Sequence, residues 1–224
     1  MGFKVAIVGA TGLVGSEFLK ILKEREFPID SLHLYASDRS AGRRLLFMGQ
    51  EMEVSETTKD SFDAIDIALF SAGGDVSKHF CPIAASAGAT VIDNSSTFRM
   101  DLDVPLVVPE VNPEDIHSHK GIIANPNCST IQLVVALKPI HQVNPIKRVI
   151  VDTYQSVSGA GGAGVEELRR QTDALSQGRS IESKAFPHQI AFNVVPEIDS
   201  LLENGYFGEE WKLIEETRKI MHAP

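Results

Sequence analysis

The sequence has little cysteine, no long apolar run and no basic patch, and each absence excludes a class of protein. Two cysteines in 224 residues, Cys81 and Cys128, do not make a disulfide framework. No stretch approaches the roughly 20 apolar residues that span a bilayer. The 21 basic residues are scattered and the net charge is −9, which argues against nucleic acid as a partner.

The N-terminus shows no signal peptide. Its apolar segment, residues 3–8, is only as long as a strand and continues into a glycine pattern without a cleavage region. We therefore expect a soluble protein in a reducing, cytoplasmic setting, with no membrane segment. No metal site is predicted.

Short β-branched runs alternate with amphipathic stretches in the N-terminal half, without repeats, low-complexity tracts or a long linker. We predict strands at 4–8, 32–36, 65–70, 90–93 and 121–124, and helices near 13–26, 75–87 and 128–138. Apolar strands that alternate with helices indicate a parallel sheet covered on both faces. The predicted fold class is α/β, with a doubly wound domain at 1–127.

A second style of sequence begins near Ile146. Alternating side chains predict a long strand at 147–157, followed by a glycine-rich turn at 159–164 and a polar helix at 165–176. We interpret 177–184 as a loop, 190–193 and 201–203 as apolar segments of undetermined type, and 211–221 as a charged helix. This half is interpreted as a substrate domain.

The motif Gly9-Ala10-Thr11-Gly12-Leu13-Val14-Gly15 follows the first predicted strand and opens the first helix. Gly9 permits a tight turn, Gly12 lets backbone amides approach a pyrophosphate, and Gly15 lets the helix pack closely on the sheet. The helix N-terminus then stabilises the phosphate charge. A strand–helix turn without a ligand would use similar residues, but the position at the first strand–helix junction favours a Rossmann-like dinucleotide site.

The segment Ala36-Ser37-Asp38-Arg39-Ser40, after the second strand, bears on which dinucleotide binds. An NAD site offers an acidic residue there for the ribose 2′-hydroxyl, and Asp38 either serves that role or faces solvent. The guanidinium of Arg39, flanked by small hydroxyl residues, suits a 2′-phosphate. We therefore favour NADP over NAD.

Cys128 lies in the motif Asn125-Pro126-Asn127-Cys128-Ser129-Thr130, which precedes an apolar helix. The partial positive charge at a helix N-terminus favours the thiolate, which is the nucleophilic form. Position alone leaves two alternatives open: a buried structural thiol, or a helix start at which Asn127 and Ser129 act only as caps. Cys81 is interpreted as a packed apolar thiol.

Small residues end the long predicted strand of the second half, in the segment Tyr154-Gln155-Ser156-Val157-Ser158-Gly159-Ala160-Gly161-Gly162. They leave space for a ligand and for its contacts with the backbone. Gln155 would suit the orientation of a carbonyl or a water, although an ordinary polar residue at a strand end has the same pattern.

These motifs occur in this order and at these intervals in aspartate-semialdehyde dehydrogenases, which the chain resembles from Gly2 to about Met221. The cysteine motif with its serine–glycine partner is the specific part, since many reductases share the glycine motif. The resemblance implies NADPH-dependent reductive dephosphorylation of L-aspartyl 4-phosphate to the 4-semialdehyde, through a thioester on Cys128. That step belongs to the biosynthesis of diaminopimelate, lysine, methionine, threonine and isoleucine. Further agreement lies at 37–42, 71–73, 93–99, 105–112 and 190–199.

The resemblance also implies roles for individual residues. It makes Cys128 and Gln155 catalytic, and it implies a homodimer or homotetramer for the complete protein. The implied cofactor contacts are Gly9, Thr11, Gly12, Leu13, Val14, Ser37, Arg39, Ser40, Ser71, Gly73, Ser158 and Gly159. The implied substrate and phosphate contacts are Arg99, Asn127, Glu209 and Lys212. Without the resemblance, Arg99, Glu209 and Lys212 would be interpreted as solvated surface charges.

The family pattern continues beyond the position of Pro224, with a substrate-binding arginine, a general acid–base histidine, further strands and a C-terminal helix. None of the seven histidines of this sequence occupies the matching position, and we interpret His188 and His222 as surface residues. We expect the α+β catalytic and dimerisation domain, 128–224, to be incomplete. We also expect the chain alone to oxidise the aldehyde negligibly.

Two other interpretations stay open. N-acetyl-glutamyl-phosphate reductase shares the fold and the chemistry, but it usually carries glycine and tyrosine around its cysteine, where this chain has Asn127 and Ser129. The alternative from another class is a truncated nucleotide-binding remnant without turnover.

Overall fold

The computed structural model describes residues 2–223. These residues form two compact units. The first unit comprises residues up to Lys147 together with those from Lys212 onwards, and the second comprises Arg148–Trp211. The domain boundary that the sequence indicates, between Asn127 and Cys128, stays a prediction.

The described residues of the first unit form one central sheet of seven strands. The strands are β1 (Phe3–Val8), β2 (Ile29–Ala36), β3 (Arg44–Phe47), β4 (Gln50–Glu56), β5 (Ile67–Phe70), β6 (Thr90–Asp93) and β7 (Ile122–Ala124). Their order in the sheet is β3-β4-β2-β1-β5-β6-β7, and all neighbouring strands are parallel except in the β3–β4 hairpin. The strand β2 lies on one side of β1, and the later strand β5 lies on the other, so the sheet has its switch point at the carboxyl end of β1.

In the described part of the chain, five α-helices accompany these strands. They are α1 (Leu13–Glu24), α2 (Gly74–Ser86), α3 (Cys128–Val143), α4 (Gly161–Ser176) and α5 (Gly208–Met221). The first three belong to the first unit and α4 to the second, while most of α5, from Lys212, belongs to the first. Within residues 2–223, no helix has the length and apolar character needed to cross a membrane.

The core of the first unit lies on both faces of the sheet, because successive side chains of a strand point to opposite faces. Val5 and Ile7 of β1 pack in a cluster with Leu19 of α1. Ala6 and Val8 pack in another cluster with Cys81 of α2. A third cluster joins α3, α5 and the segment between β6 and β7, through Leu106, Val108, Val134 and Ile220. The doubly wound α/β class is therefore confirmed.

The predicted strands and helices of the N-terminal half are present, with small shifts at their ends. The largest shift is in α3, which continues through Pro139 to Val143 instead of ending at Lys138. The β3–β4 hairpin was not predicted. Its strands are largely exposed, so they carry little of the apolar alternation that marks a strand in a sequence.

The strand predicted at 147–157 is wrong. Residues 147–156 have no regular secondary structure, and no described residue pairs with them in a ladder. Alternating side chains suit a pleated surface, but a strand also needs a hydrogen-bonding neighbour. Without one, Ile150 is 80% exposed and Tyr154 is 91% exposed.

The glycine-rich turn predicted at 159–164 is also corrected. Val157–Ala160 forms a 3₁₀ turn, and α4 begins at Gly161 rather than at Val165. A Cβ on Gly164 would stand 2.6 Å from the carbonyl oxygen of Val157. Gly164 therefore serves the close approach of the first helical turn to the segment before it. The loop predicted at 177–184 and the C-terminal helix are confirmed.

Candidate active site

The turn between β1 and α1 is built on two glycines. Gly9 has a φ of +89°, and a Cβ there would overlap the carbonyl of Ser71 at the end of β5. A Cβ on Gly15 would overlap the carbonyl of Gly9. Gly12 precedes α1 and provides no side-chain cap, so the first-turn amides of the helix remain available to an anion. The tight turn and close packing expected of Gly9 and Gly15 are thus present.

The expected cofactor residues of the first unit lie at the carboxyl ends of three adjacent strands. They follow β1, β2 and β5, at the switch point where doubly wound sheets bind nucleotides. Eight of these residues flank the turns after the strands, and none of the eight is buried. They are Thr11, Leu13 and Val14 after β1, Ser37, Arg39 and Ser40 after β2, and Ser71 and Gly73 after β5.

Asp38 and Arg39 lie in a 3₁₀ turn, Asp38–Ser40, directly after β2. Oδ1 of Asp38 accepts the backbone N–H of Arg39 at 2.8 Å, so the carboxylate helps to shape its own turn. Arg39 is exposed, and no carboxylate of residues 2–223 lies within ion-pair distance of its guanidinium. The residues present fit a nucleotide with a phosphate near β2.

Cys128 is the first residue of α3 and is exposed, which contradicts the alternative of a buried structural thiol. Asn127 caps the helix, since its side-chain oxygen accepts the N–H of Ser129 at 2.9 Å and that of Thr130 at 3.4 Å. Cys81 is fully buried against the sheet, as predicted. Burial raises the pKa of the Cys81 thiol, and the nearby Asp93 raises it further.

Arg99 is only 8% exposed, so residue type alone gave the wrong expectation of a solvated charge. Its Nη1 donates to Oε1 of Glu216 at 3.0 Å, and its Nη2 donates to the backbone oxygen of Asn94 at 3.0 Å. The buried Nε has no hydrogen-bond partner among the described residues. A buried arginine whose Nε–H has no partner is suited to an anionic ligand.

Two residues of α5 that the sequence interpretation did not single out hold this region together. Oε2 of the buried Glu216 accepts the backbone N–H of Asn127 at 2.6 Å. Nζ of Lys219 donates to the backbone oxygens of Arg99, Asp101 and Val104 at 2.6–2.9 Å. Burial lowers the pKa of Lys219, against the opposing effect of Asp101 and Asp115.

A signal for Glu216 was present in the sequence. Leu213, Glu216 and Ile220 follow one another at three and four residues, so they lie on one face of α5. Leu213 and Ile220 are buried. An acidic residue within an apolar helix stripe indicates a buried charge with a partner elsewhere in the chain.

The second unit brings together two other expected site residues. Nε2 of Gln155 donates to Oε1 of Glu209 at 3.1 Å. Glu209 is 8% exposed, so the expectation of a solvated surface charge from residue type was wrong for Glu209 as well. Lys212 is half-buried. Ser158 and Gly159 lie exposed in the 3₁₀ turn before α4.

The histidine predictions are confirmed for the two residues that were named. His188 is exposed. His222 is exposed as well, and its Nε2 lies 3.1 Å from Oδ1 of Asp115.

Comparison with known protein families gives two matches that together span most of the chain. Residues 4–119 match the family model described as semialdehyde dehydrogenase, NAD binding domain. Residues 137–224 match the model described as semialdehyde dehydrogenase, dimerisation domain. The matched segments place a nucleotide-binding region before an oligomerisation region.

Individual relatives carry a more specific name. An aspartate-semialdehyde dehydrogenase of Aquifex aeolicus is 61% identical over 99% of this chain and 66% of its own length. A crystal structure of aspartate semialdehyde dehydrogenase II from Vibrio cholerae, complexed with ASA, superposes with a TM-score of 0.98. It is 53% identical over 100% of this chain and 67% of its own.

A third relative was solved with a nucleotide. The aspartate semialdehyde dehydrogenase of Candida albicans, in complex with NADP, has a TM-score of 0.69 and is 30% identical over 99% of this chain and 60% of its own. The chain thus spans about two thirds of the length of the relatives it matches.

Proposed function

Because this chain belongs to the aspartate-semialdehyde dehydrogenase family, we propose that it provides the nucleotide site and the nucleophile for conversion of L-aspartyl 4-phosphate to L-aspartate 4-semialdehyde. The observation that carries the proposal is the exposed thiol of Cys128 at the N-terminus of α3. In the same unit, the buried Arg99 keeps an unused N–H donor. A nucleophile and an anion-binding group are the two parts that an acyl phosphate requires.

The first chemical step belongs to Cys128 and Arg99. The thiolate of Cys128 attacks the acyl carbon, a C–S bond forms, and the bond to the phosphate oxygen breaks. Arg99 donates to the departing phosphate, whose charge a guanidinium matches well. The product on the protein is a thioester, and splitting one difficult step into two is the gain of covalent catalysis.

The second step requires orientation of the thioester. When bound, the nicotinamide supplies a hydride to the thioester carbon. By resemblance to the family, we assign orientation of the carbonyl to Gln155 and binding of the substrate amino group to Glu209; the two side chains are hydrogen-bonded to each other. Collapse of the tetrahedral species then returns the electron pair to the sulfur of Cys128 and releases the aldehyde. None of the described histidines is assigned to proton transfer.

NADP is the proposed nucleotide. Arg39 is exposed beside the carboxyl end of β2, and Asp38 is engaged with the backbone of its own turn rather than extended for a ribose hydroxyl. The NADP complex of the Candida albicans relative supports the same choice. The match to a dimerisation domain supports an oligomer, and we propose a homodimer or homotetramer in the cytoplasm.

The aspartyl substrate is favoured over its N-acetyl-glutamyl counterpart. Asn127 and Ser129 flank Cys128, and both take part in the cap of α3, Asn127 through its side chain. The relatives at 53–61% identity are aspartate-semialdehyde dehydrogenases, and one was crystallised with ASA. These observations do not favour a second function.

The test is phosphate-dependent formation of NADPH from aspartate semialdehyde. It is run on the 224-residue chain alone and on the same chain extended by the C-terminal segment of the family pattern (the complete protein). We expect the complete protein to turn over, to need phosphate, and to lose activity in Cys128→Ala. N-acetyl-glutamate semialdehyde serves as the competing substrate. Faster turnover of that aldehyde, or turnover that does not depend on phosphate, would contradict the proposal.

A further inference from the structure

Glu216 is a fully paired carboxylate in the interior of the first unit. It is 1% exposed, and each of its oxygens has a different partner. Oε1 lies 3.0 Å from Nη1 of Arg99, and Oε2 lies 2.6 Å from the backbone nitrogen of Asn127. A buried charge is costly unless its partners are close and well oriented, so this geometry is strongly determined.

The two partners of Glu216 belong to different segments of the site. Arg99 lies in the loop after β6, and Asn127 is the N-cap residue of α3, directly before Cys128. The partners are 117 and 89 residues away from Glu216 along the chain. One carboxylate therefore joins the anion-binding arginine to the start of the helix that carries the thiol.

The guanidinium of Arg99 is held at two of its nitrogens and open at the third. Glu216 and the backbone of Asn94 accept from Nη1 and Nη2, which fixes the plane of the group. The Nε–H is buried and unpartnered within residues 2–223. Buried donors are rarely left unpaired in proteins, and this N–H is therefore a candidate donor to an anionic ligand.

We propose that Glu216 is a positioning residue, which fixes the direction of the Arg99 donors relative to the N-terminus of α3, so that a phosphate bound by Arg99 leaves from the carbon that Cys128 attacks. The inference rests on the proposed function. Lys219, one turn further along α5, supports it by binding three backbone oxygens of residues 99–104. Helix α5 thus binds the side chain of Arg99 through Glu216 and the backbone of residues 99–104 through Lys219.

Charge alone predicts the opposite effect, which makes the proposal testable. A carboxylate beside a phosphate site repels the phosphate, so its neutralisation should strengthen phosphate binding if Glu216 acts only through its charge. If Glu216 acts by orientation, its neutralisation should weaken phosphate binding, because an amide has one acceptor oxygen and cannot accept from both Arg99 and Asn127 as the carboxylate does. Glu216→Gln preserves the shape of the side chain and separates these two cases.

The experiment measures steady-state aldehyde oxidation by the complete protein, with inorganic phosphate, aldehyde and NADP varied in turn. In Glu216→Gln we expect kcat/KM for phosphate to fall about 10- to 100-fold, mainly through KM, while KM for NADP stays unchanged. Glu216→Asp, which keeps the charge but shortens the side chain, should show a smaller loss. The matched control is Glu215→Gln on the same helix, because its ion pair with Arg218 is partly exposed and should leave the kinetics unchanged.

A merely structural role gives a different result. If Glu216→Gln only reduces the fraction of folded protein, kcat falls in proportion to the amount of reactive Cys128 thiol. KM for phosphate then stays as in wild type. That result, or a lower KM for phosphate, would overturn the proposal. If Glu216→Gln does not fold, Glu216→Asp decides by the same criterion.

A second readout separates failure of the inference from failure of the proposed function. Inorganic phosphate should slow alkylation of Cys128 in wild type, and about tenfold more phosphate should be needed in Glu216→Gln. Absence of wild-type turnover, with this difference intact, would count against the function and not against the positioning role. Equal protection by phosphate in wild type and variant would overturn the positioning role.

Discussion

The two compact units hold their candidate site residues in different ways. In the first, Arg99 and Cys128 follow strands of a hydrogen-bonded sheet, and Glu216 links their segments. In the second, Gln155 lies in a segment without regular secondary structure and contacts the carboxylate of Glu209. Groups on rigid elements keep a reactive geometry better than groups on irregular segments. The geometry around Arg99 and Cys128 is therefore more firmly determined than that around Gln155.

The most buried glutamate of each unit shows the same difference. Glu167 of the second unit is 3% exposed, and it accepts the backbone N–H groups of Lys184, Ala185 and Phe186 at 2.6–3.3 Å. These partners lie within 20 residues of it, so Glu167 fixes a local loop. Glu216 connects segments that are far apart in the chain. A buried carboxylate thus serves architecture in one unit and the candidate site in the other.

The largest expected effect is that of Cys128→Ala. If the chemistry lies at the N-terminus of α3, removal of the nucleophile should lower kcat of the complete protein by more than about 10⁴-fold, since no other group forms the thioester. The thermal midpoint should hardly change, because Cys128 is exposed. If Cys128→Ala kept a kcat within tenfold of wild type, the nucleophile would not lie in the first unit. The contrast drawn between the two units would then be wrong.

The matched substitution is Cys81→Ala. Cys81 is buried between α2 and the sheet, so its loss should lower stability and leave the kinetic constants of the folded protein unchanged. A loss of kcat in Cys81→Ala equal to that in Cys128→Ala would show that the activity loss reflects packing.

Thiol reactivity gives the next largest contrast. We expect a mild alkylating reagent to modify Cys128 at least about 100-fold faster than Cys81, since alkylation needs an exposed thiolate. Cys128 is exposed, whereas burial and the neighbouring Asp93 hold the pKa of Cys81 far above its usual range. Mass spectrometry of the modified peptides measures the ratio. Faster labelling of Cys81 would mean that α2 opens more readily than the packing of the first unit allows.

The sequence predicted the first unit better than the second, for a physical reason. In β1, β5 and β6 the apolar residues are buried on both faces, and the glycines of the first turn are required by close backbone contacts. Such patterns are local and therefore visible in the sequence. The segment 147–157 has the pattern of a strand, but only a neighbouring strand can make it one, and no local pattern reveals that neighbour.

The candidate site residues show the same difference between local and long-range determinants. Cys128 and the glycine motif could be found from the sequence because each depends on the start of a helix nearby. The burial of Arg99 could not be found from residue type, since it depends on Glu216, which lies 117 residues further along the chain. The unsatisfied Nε of Arg99 is likewise a property of the folded site. The resemblance to a family supplied the role of Arg99 without its structural cause.

A stability measurement sharpens the contrast between the two buried glutamates. Glu167→Gln replaces one acceptor oxygen by an amide group that faces backbone N–H donors, so unfolding should become easier by about 2–3 kcal/mol. Chemical denaturation measures this change, and KM for phosphate should stay as in wild type. An increase in KM for phosphate as large as that in Glu216→Gln would show that the two carboxylates do not serve separate purposes.

The pH dependence of this effect has a definite sign. Burial tends to raise the pKa of Glu167, but three backbone N–H donors and Arg170 bring it below the ordinary value. A carboxyl group whose pKa is lowered by folding adds stability above its unfolded pKa, and this stability is lost as the pH falls through the folded pKa. The difference between wild type and Glu167→Gln should therefore shrink as the pH falls below about 4. A difference that grows at low pH would contradict the hydrogen-bonded arrangement.

The smallest expected effect concerns Arg39, an exposed charge in the unit where Arg99 is buried. Arg39→Ala should weaken NADP binding about tenfold and leave NAD binding nearly unchanged, because only NADP carries the 2′-phosphate. The effect is modest because an exposed guanidinium remains solvated and is screened by salt. Titration of both nucleotides, at low and high salt, measures the change in preference.

Arg44→Ala is the control for Arg39→Ala. It removes an equal charge from the neighbouring hairpin, where Arg44 forms an exposed ion pair with Glu51. If general attraction to a polyanion were the cause, both variants would lose NADP affinity to a similar extent. A loss confined to Arg39→Ala would place the 2′-phosphate beside the turn after β2. An unchanged preference for NADP over NAD in Arg39→Ala would remove Arg39 from the cofactor site. It would also reopen the choice of nucleotide, because the carboxylate of Asp38, now hydrogen-bonded to its own turn, is the neighbouring group that suits a ribose 2′-hydroxyl.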